Sequence, residues 1–399
     1  MSGFGMLHAY GVGVGARHVE QRELRFFWEG GDDVPKTFKG LYQQMHDFTH
    51  LCTAYQRARR GKRARPDVAA FEFRWEEQLL QLATELREER YRPGAYRSFV
   101  ITESGKRRVI SAAPFRDRVV HHALCALLEP IFEPRFIHDS YASRPNKGTH
   151  AALDRAQHFA RGHRYALQVD VQQFFPSIDH QILRGTLARH IADDQIMHLI
   201  DMILAGGEAT LRDEYQMTYF PGDDLFAVNR PRGLPIGNQT SQFWANCHLH
   251  SLDLYIKQEL GCRAYLRYCD DMILFANDKP TLWHWRTAII EFAAIRRMTI
   301  HEERAQPVPV THGMPFLGWL IFPYRRRLKR RNVIAFAHRF RRLRARYADG
   351  QCSLDRMHHS VQGWIAHAAH GNTLALRRSL LNKPLPRCRV LRSPRPKEF

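Results

Sequence analysis

Two adjacent carboxylates sit between two apolar runs in this chain. Ala264-Tyr265-Leu266 leads into Tyr268-Cys269-Asp270-Asp271, and Met272-Ile273-Leu274-Phe275 leads out. The pattern predicts strand, tight turn and strand across 263 to 276. A third acid, Asp170, ends the short buried-type strand Tyr165-Ala166-Leu167-Gln168-Val169 and stands just before Phe174-Phe175. Neighbouring carboxylates at a partly desolvated turn repel one another. A fold keeps such a cluster where a cation offsets the repulsion, and oxygen donors select hard ions, here Mg²⁺ with Mn²⁺ as the substitute. Two ions held about 3.5 to 4 Å apart support an in-line phosphoryl displacement. An Asp-Asp pair is also an ordinary polar turn, so the weight lies on its combination with Asp170.

Charge points the same way. The 399 residues carry 60 Lys and Arg against 40 Asp and Glu, a net +20. An excess of that size costs folding energy by self-repulsion and suits a polyanionic partner, with nucleic acid ahead of an anionic membrane surface. No apolar run approaches the roughly 18 residues needed to cross a bilayer. The opening MSGFGMLHAYGVGVGARH has no basic start followed by an apolar stretch, so the expectation is a cytoplasmic protein with no membrane partner. Seven cysteines, without a C-x-x-C, argue against a disulfide framework or a thiolate zinc site.

Along the chain, residues 1–45 read as an N-terminal extension, with GVGVG at 11–15 lacking the strand-and-helix context of a phosphate loop. Phe71, Trp75, Leu79, Leu82 and Leu86 predict one helix from Pro66, ended at Arg92-Pro93-Gly94. Runs 98–102 and 108–111 predict a hairpin with a basic tip, followed by a helix carrying Val120, Leu124 and Leu127. A helical stretch is expected over 179–204, a loop over 205–232, and a helix from Gly237 towards Leu260. Another helix is expected over 280–297, and a strand pair from Phe316. Residues 325–346 hold eleven Lys or Arg and no acid, while Val333, Phe336, Phe340, Leu343 and Tyr347 repeat at helical spacing. A helix with one apolar face and one face lined by Arg339, Arg341, Arg342, Arg344 and Arg346 suits a phosphate backbone better than plain solvent.

With these motifs in view, the chain resembles the reverse transcriptases from about residue 46 to 385. Tyr268-Cys269-Asp270-Asp271 is similar to the family's Tyr-x-Asp-Asp box, and Asp170, in VDVQQFFPSID, matches its first catalytic aspartate. The resemblance implies an α+β right-hand polymerase: fingers over 46–165, palm over 166–325, helical basic thumb over 326–385 and a basic tail over 386–399. It implies Asp170, Asp270 and Asp271 as catalytic and metal-holding groups, with the Val171 carbonyl completing one shell. Lys106 and Arg108 would grip the incoming triphosphate. Phe175 would exclude a 2′ hydroxyl by its rigid ring; its plain alternative is a core aromatic beside Phe174. Ile236 and Gly237 would line the nucleotide site, and Gln242, Arg339, Arg342 and Arg346 would contact nucleic acid. Implied partners are an RNA template, a DNA or RNA primer and deoxynucleotides.

The segment 232–246, RGLPIGNQTSQFWAN, departs from the common Gln-Gly-x-x-x-Ser-Pro: Ile236 replaces Gln and Gln242 replaces Pro. This resembles the enzymes of diversity-generating retroelements, which copy RNA with many errors at adenines and work with a small basic oligomeric accessory protein. APFRDRVVHHAL (113–124) and YASRPNKGTHAAL (141–153) are similar to that group too. Where relatives often carry a Lys after the catalytic hairpin, this chain has HEERAQ, with Arg304 the nearest match, and Arg is a poor proton donor. Two alternatives stand beside this reading: a reverse transcriptase of antiphage defence or of a retron-like element, and a non-catalytic RNA-binding protein of the same fold. The histidine-rich run 358–372 has apolar spacing at Val361, Ile365 and Ala368 and lacks a cysteine frame, so it reads as a thumb helix rather than a nuclease.

Overall fold

A computed structural model describes residues 37–103, 106–382 and 384, leaving the side chains of Glu103 and Lys106 aside. The GVGVG segment and the basic tail lie outside the described residues.

The chain begins with α1 (Tyr42–Met45), α2 (Phe48–Arg59), α3 (Pro66–Phe73) and α4 (Trp75–Arg87). The sequence predicts one helix where α3 and α4 stand. Arg74 breaks it at φ −132°, ψ 40°. The break places the rings of Phe71 and Trp75 on the same Tyr55, at centroid distances of 5.7 and 5.6 Å. The hairpin then forms as expected, from β1 (Arg97–Glu103) and β2 (Lys106–Ala112), in register from Arg97↔Ala112 to Glu103↔Lys106. Two helices follow, α5 (Phe115–Phe132) and α6 (Thr149–Gly162). Val120, Leu124 and Leu127 of α5 are all buried.

After β3 (Tyr165–Val169) and the short α7 (Phe174–Ser177), the expected single helix over 179–204 is again two, α8 (His180–Ala188) and α9 (Asp194–Gly207). Each has an aspartate N-cap: Asp179 accepts from the Ile182 amide and Asp193 from the Ile196 amide, both at 3.0 Å. The second oxygen of Asp193 accepts from the amides of Leu41, at 2.6 Å, and Tyr42, at 3.1 Å. One carboxylate thus starts α9 and pins the entry to α1. Residues 205–232 contain two short 3₁₀ turns, Glu208–Glu214 and Leu225–Asn229. Asp223 fastens this segment by ion pairs to Arg230, at 2.7 Å, and Arg297, at 3.4 Å.

The remaining elements are α10 (Gln239–Leu254), which unwinds into a π turn over Tyr255–Glu259, β4 (Tyr265–Tyr268), β5 (Asp271–Ala276), α11 (Lys279–Ile295), β6 (Val308–Pro309), β7 (Met314–Phe316), β8 (Trp319–Ile321), β9 (Arg326–Leu328), α12 (Arg330–Ala348), α13 (Leu354–Ala368) and α14 (Leu374–Leu381). The central sheet has strand order β4-β5-β3-β6, and a second sheet runs β7-β8-β9. All of these pairings are antiparallel. The architecture is α+β.

The central sheet separates two cores, as the period of two in a strand requires. Leu167, Val169, Tyr265, Met272 and Leu274 face the larger core with α5, α8, α9 and α10. Ala166, Leu266, Ile273 and Phe275 face a smaller one with α6, the second sheet and the C-terminal helices. There, Phe336 of α12 stacks on Trp364 of α13 at 3.9 Å, while Val333 and Phe340 lie alongside, so the apolar face of α12 is the predicted one. The first part of the basic run departs from a helix. Arg326 belongs to β9, is buried, and pairs with Asp154 at 2.6 Å and Gln157 at 3.0 Å.

Asp193→Ala removes a helix cap and the acceptor of two long-range hydrogen bonds together. We expect it to lower stability by about 2 kcal/mol in urea unfolding; a loss below about 0.5 kcal/mol would contradict the pinning role.

Candidate polymerase site at the acidic hairpin

Strand register builds the site. β3 pairs with β5 from Tyr165↔Ala276 to Val169↔Met272. The pairing ends there; carried one step further, the same antiparallel register would set Asp170 opposite Asp271 and on the same face, where directly opposed residues have Cα atoms about 4.5 to 5.5 Å apart. Asp271 is exposed and Asp170 half-exposed. β4 pairs with β5 as far as Tyr268↔Asp271, leaving Cys269 and Asp270 as a two-residue turn. Cys269 has φ +56°, the left-handed region that primed hairpin turns require and a side chain resists. Burial pushes the Cys269 thiol well above its usual range, and the Asp270 carboxylate, hydrogen-bonded to it, pushes further the same way.

Val171 forms an isolated bridge with Ile300 in which the flanking groups make the bonds: Gln172 N donates to Thr299 O, and His301 N donates to Asp170 O. The Val171 carbonyl therefore points away from that edge, towards the side of β5 and its turn. Among the described residues, no group of three or more imidazole, thiol or carboxylate side chains is gathered tightly enough to hold a metal ion. What the chain offers is hard oxygen: the carboxylates of Asp170 and Asp271, Asp270 in the adjoining turn and the Val171 carbonyl. That donor set fits Mg²⁺, which is commonly held by one or two carboxylates together with substrate phosphates.

Two cations approach this pair. Arg304 Nη1 lies 3.5 Å from Asp170 Oδ2. Lys329, just before α12, has its ammonium depressed by burial and by Arg331, with the Asp271 carboxylate acting in the opposite direction. Lys329 was not legible as a site residue, because it sits within a run of like charges. Arg267 was also missed. It is fully buried in β4, and its guanidinium bonds Asp253, Asn246 and the Cys269 carbonyl. A charge in an apolar strand was the signal.

Several of the residues expected on the nucleotide side are linked through the segment 233–237. Leu234 N donates to Phe175 O at 2.9 Å, and Ser111 N of β2 donates to Ile236 O at 3.1 Å. This segment therefore bridges the turn after Asp170 and the base of the β1–β2 hairpin. Phe175 is half-buried and meets the buried Phe174 edge-on at 5.4 Å. Gly237 has φ +123°, and a Cβ there would stand 3.2 Å from Ile110 Cγ2. Arg108 is exposed on β2 opposite Ile101, while the Lys106 side chain lies outside the described residues. Gln242 is exposed at the start of α10, and its Oε1 accepts from Ser143 at 3.0 Å. On α12, Arg339 and Arg342 are exposed, whereas the half-buried Arg346 donates to Gln351 O at 3.4 Å.

Gly237→Ala forces a side chain into a left-handed backbone against Ile110. It should cost about 1 to 3 kcal/mol in chemical denaturation, and an unchanged midpoint would show that the segment is not held as described.

Known proteins supply the family. Residues 100–321, more than half of the chain, match the model of "Reverse transcriptase (RNA-dependent DNA polymerase)". The group II intron-encoded protein LtrA of Lactococcus lactis subsp. cremoris is 28% identical over 233 residues, covering 57% of this chain and 37% of that protein. Protein YkfC of Escherichia coli K12 is 26% identical over 53% of this chain and 50% of its own length. A 91 kDa protein of the cob intron of Schizosaccharomyces pombe is 30% identical over 42% of this chain and 19% of its own length. The chain thus spans half or less of these relatives, while the residues matched by the family model take in the central sheet and the acidic hairpin. No described helix is long and apolar enough to cross a membrane. This chain belongs to the reverse transcriptase family.

Proposed function

We propose that the chain is an RNA-directed DNA polymerase that extends a DNA or RNA primer with deoxynucleotides along an RNA template. The observation that carries this reading is the β3–β5 register, paired up to Val169↔Met272, whose continuation by one residue would oppose Asp170 to Asp271 beside the acidic turn. Asp170, Asp271, Asp270 and the Val171 carbonyl would hold two Mg²⁺ ions. When bound, such ions lower the pKa of the attacking 3′ hydroxyl and stabilise charge on the leaving pyrophosphate.

The chain's own groups do the rest. Lys106 and Arg108 on the hairpin would draw in the triphosphate, whose charge the carboxylates alone would repel. A guanidinium is a poor proton donor, so Arg304 would hold the departing pyrophosphate by hydrogen bonds. Phe175, fixed by its contact with Phe174 and by the Leu234 amide, would present a rigid ring under the sugar and exclude a 2′ hydroxyl. Gln242 and the exposed arginines of α12 would carry template and primer. The fingers, palm and thumb would then correspond to 46–165, 166–325 and 326–385.

The test is primer extension with purified protein, an RNA template, Mg²⁺ and dNTPs. Asp170→Asn and Asp271→Asn should each reduce kcat by about 10³-fold or more, and chelation should abolish the reaction. A variant with wild-type rate would overturn the reading and favour a non-catalytic RNA-binding protein. Phe175→Val should admit rNTPs with a gain in kcat/KM of about tenfold or more; no gain would assign the ring to the core.

A finer reading places the enzyme in a diversity-generating retroelement, copying with errors at adenines and working with a small basic oligomeric accessory protein. Ile236 and Gln242 support it. An apolar Ile236 offers no hydrogen bond near the nascent pair, so pairing there is checked less closely. Ile236→Gln should lower the adenine error rate in sequenced cDNA, and an unchanged rate would remove Ile236 as the cause. A variable repeat pair beside the gene favours diversification, and a toxin-like neighbour favours defence.

A further inference from the structure

We infer that Arg267, with Asp253 and Asn246, is the positioning device for the acidic turn: it clamps the Cys269 carbonyl and so holds Asp270 and Asp271 in front of Asp170. The inference rests on the polymerase reading above and deepens it.

Arg267 and Asp253 are both 0% exposed. The guanidinium spends its donors on three partners. Nε reaches the two Asp253 oxygens at 2.8 and 3.1 Å, Nη2 reaches Asp253 Oδ2 at 2.7 Å, and Nη1 reaches Asn246 Oδ1 and Cys269 O, each at 3.0 Å. Tyr265 adds a fourth contact to the same carboxylate, at 2.7 Å. Both acceptor residues, Asn246 and Asp253, lie on α10, and Asn246 is itself tied to the Ala142 carbonyl at 2.9 Å. One side chain therefore links α10, β4 and the turn.

Stability alone is a weak reason for such a pair. Burying two charges costs about as much as their attraction returns, and well-packed apolar residues of similar volume often do as well. The contact that an apolar pair could not supply is the bond to Cys269 O. That carbonyl belongs to a residue at φ +56°, in a conformation costing roughly 1 to 2 kcal/mol for a residue with a Cβ. The turn residue has no ladder partner of its own, since β4 and β5 pair only as far as Tyr268↔Asp271. The planar fork of arginine meets a carboxylate, an amide and a carbonyl at once, which a lysine ammonium cannot reproduce. Behind the turn, the backbone of Arg267 is fixed as well: its amide donates to Asp139 O, and its carbonyl accepts from Tyr141 N, both at 2.9 Å. The clamp is thus anchored to parts of the fold that do not belong to the hairpin.

The test compares wild type, Arg267→Lys and the double variant Arg267→Lys/Cys269→Gly. In single-turnover extension, Arg267→Lys should lose about tenfold or more in rate, with primer–template Kd and dNTP KM within about twofold of wild type. Its half-saturating Mg²⁺ concentration should rise. Glycine adopts positive φ without strain, so the double variant should regain a large part of that loss. A folded Arg267→Lys with wild-type rate and Mg²⁺ dependence would overturn the inference. So would a loss shared equally by Kd, KM and rate, with no recovery from glycine. Should Arg267→Lys fail to fold, Asn246→Ala, which removes one acceptor of the same Nη1, carries the same expectation at smaller size, and an unchanged rate in it overturns the clamp. If wild type extends no primer at all, the functional reading fails. Mn²⁺ binding by electron paramagnetic resonance, weaker in Arg267→Lys than in wild type, then still decides the clamp.

Discussion

A slip of one residue between β3 and β5 would carry every side chain of β3 to the other face of the sheet. Leu167 and Val169 would leave the larger core, Ala166 would leave the smaller one, and Asp170, next in line, would turn to the opposite face with them. The two cores on either side of the sheet therefore hold the register, and the register holds the carboxylates. A site made this way needs no dedicated cage of ligands. It needs a strand pairing that is expensive to shift, with acids placed where apolar burial ends.

Around that pairing the fold distributes its charges by depth. Arg267 and Arg326 are buried against named partners and act on structure, one beneath the acidic turn and one joining β9 to α6. Arg304 and Lys329 stand at the rim, near enough to the carboxylates to feel them. Arg339 and Arg342 face outward from α12, whose apolar side is occupied by Trp364 and its neighbours. The excess of positive charge is thus several devices with different tasks, separated by burial rather than by composition.

Much of this was legible in the sequence, and the reasons are specific. β3 was read at its observed limits because a five-residue apolar run ended by an acid has few other readings. The acidic hairpin was legible because its two flanking runs are uniformly apolar, and the face of α12 because its spacing is regular over four turns. The two helix breaks were not legible. Arg74 and Asp193 interrupt patterns whose apolar period continues unbroken, and the cause is tertiary: Tyr55 takes both rings, and Asp193 takes amides 151 and 152 residues away. Arg267 was missed for a related reason. In a strand one charged residue reads as solvent-facing, and only the structure brings Asp253 and Asn246 behind it. Arg326 was absorbed into a basic run whose other members behave differently.

On the reading proposed above, Asp170 and Asp271 form a divalent-cation site at the primer end. Its most direct test is anomalous diffraction from crystals of the protein with primer–template, a non-reactive dNTP analogue and Mn²⁺. Mn²⁺ density is expected within about 2.0 to 2.5 Å of carboxylate oxygens of both Asp170 and Asp271, with the analogue's phosphates completing the shell. Analogue bound in the cleft with no ion bridging those two residues, or ions held elsewhere, would contradict it.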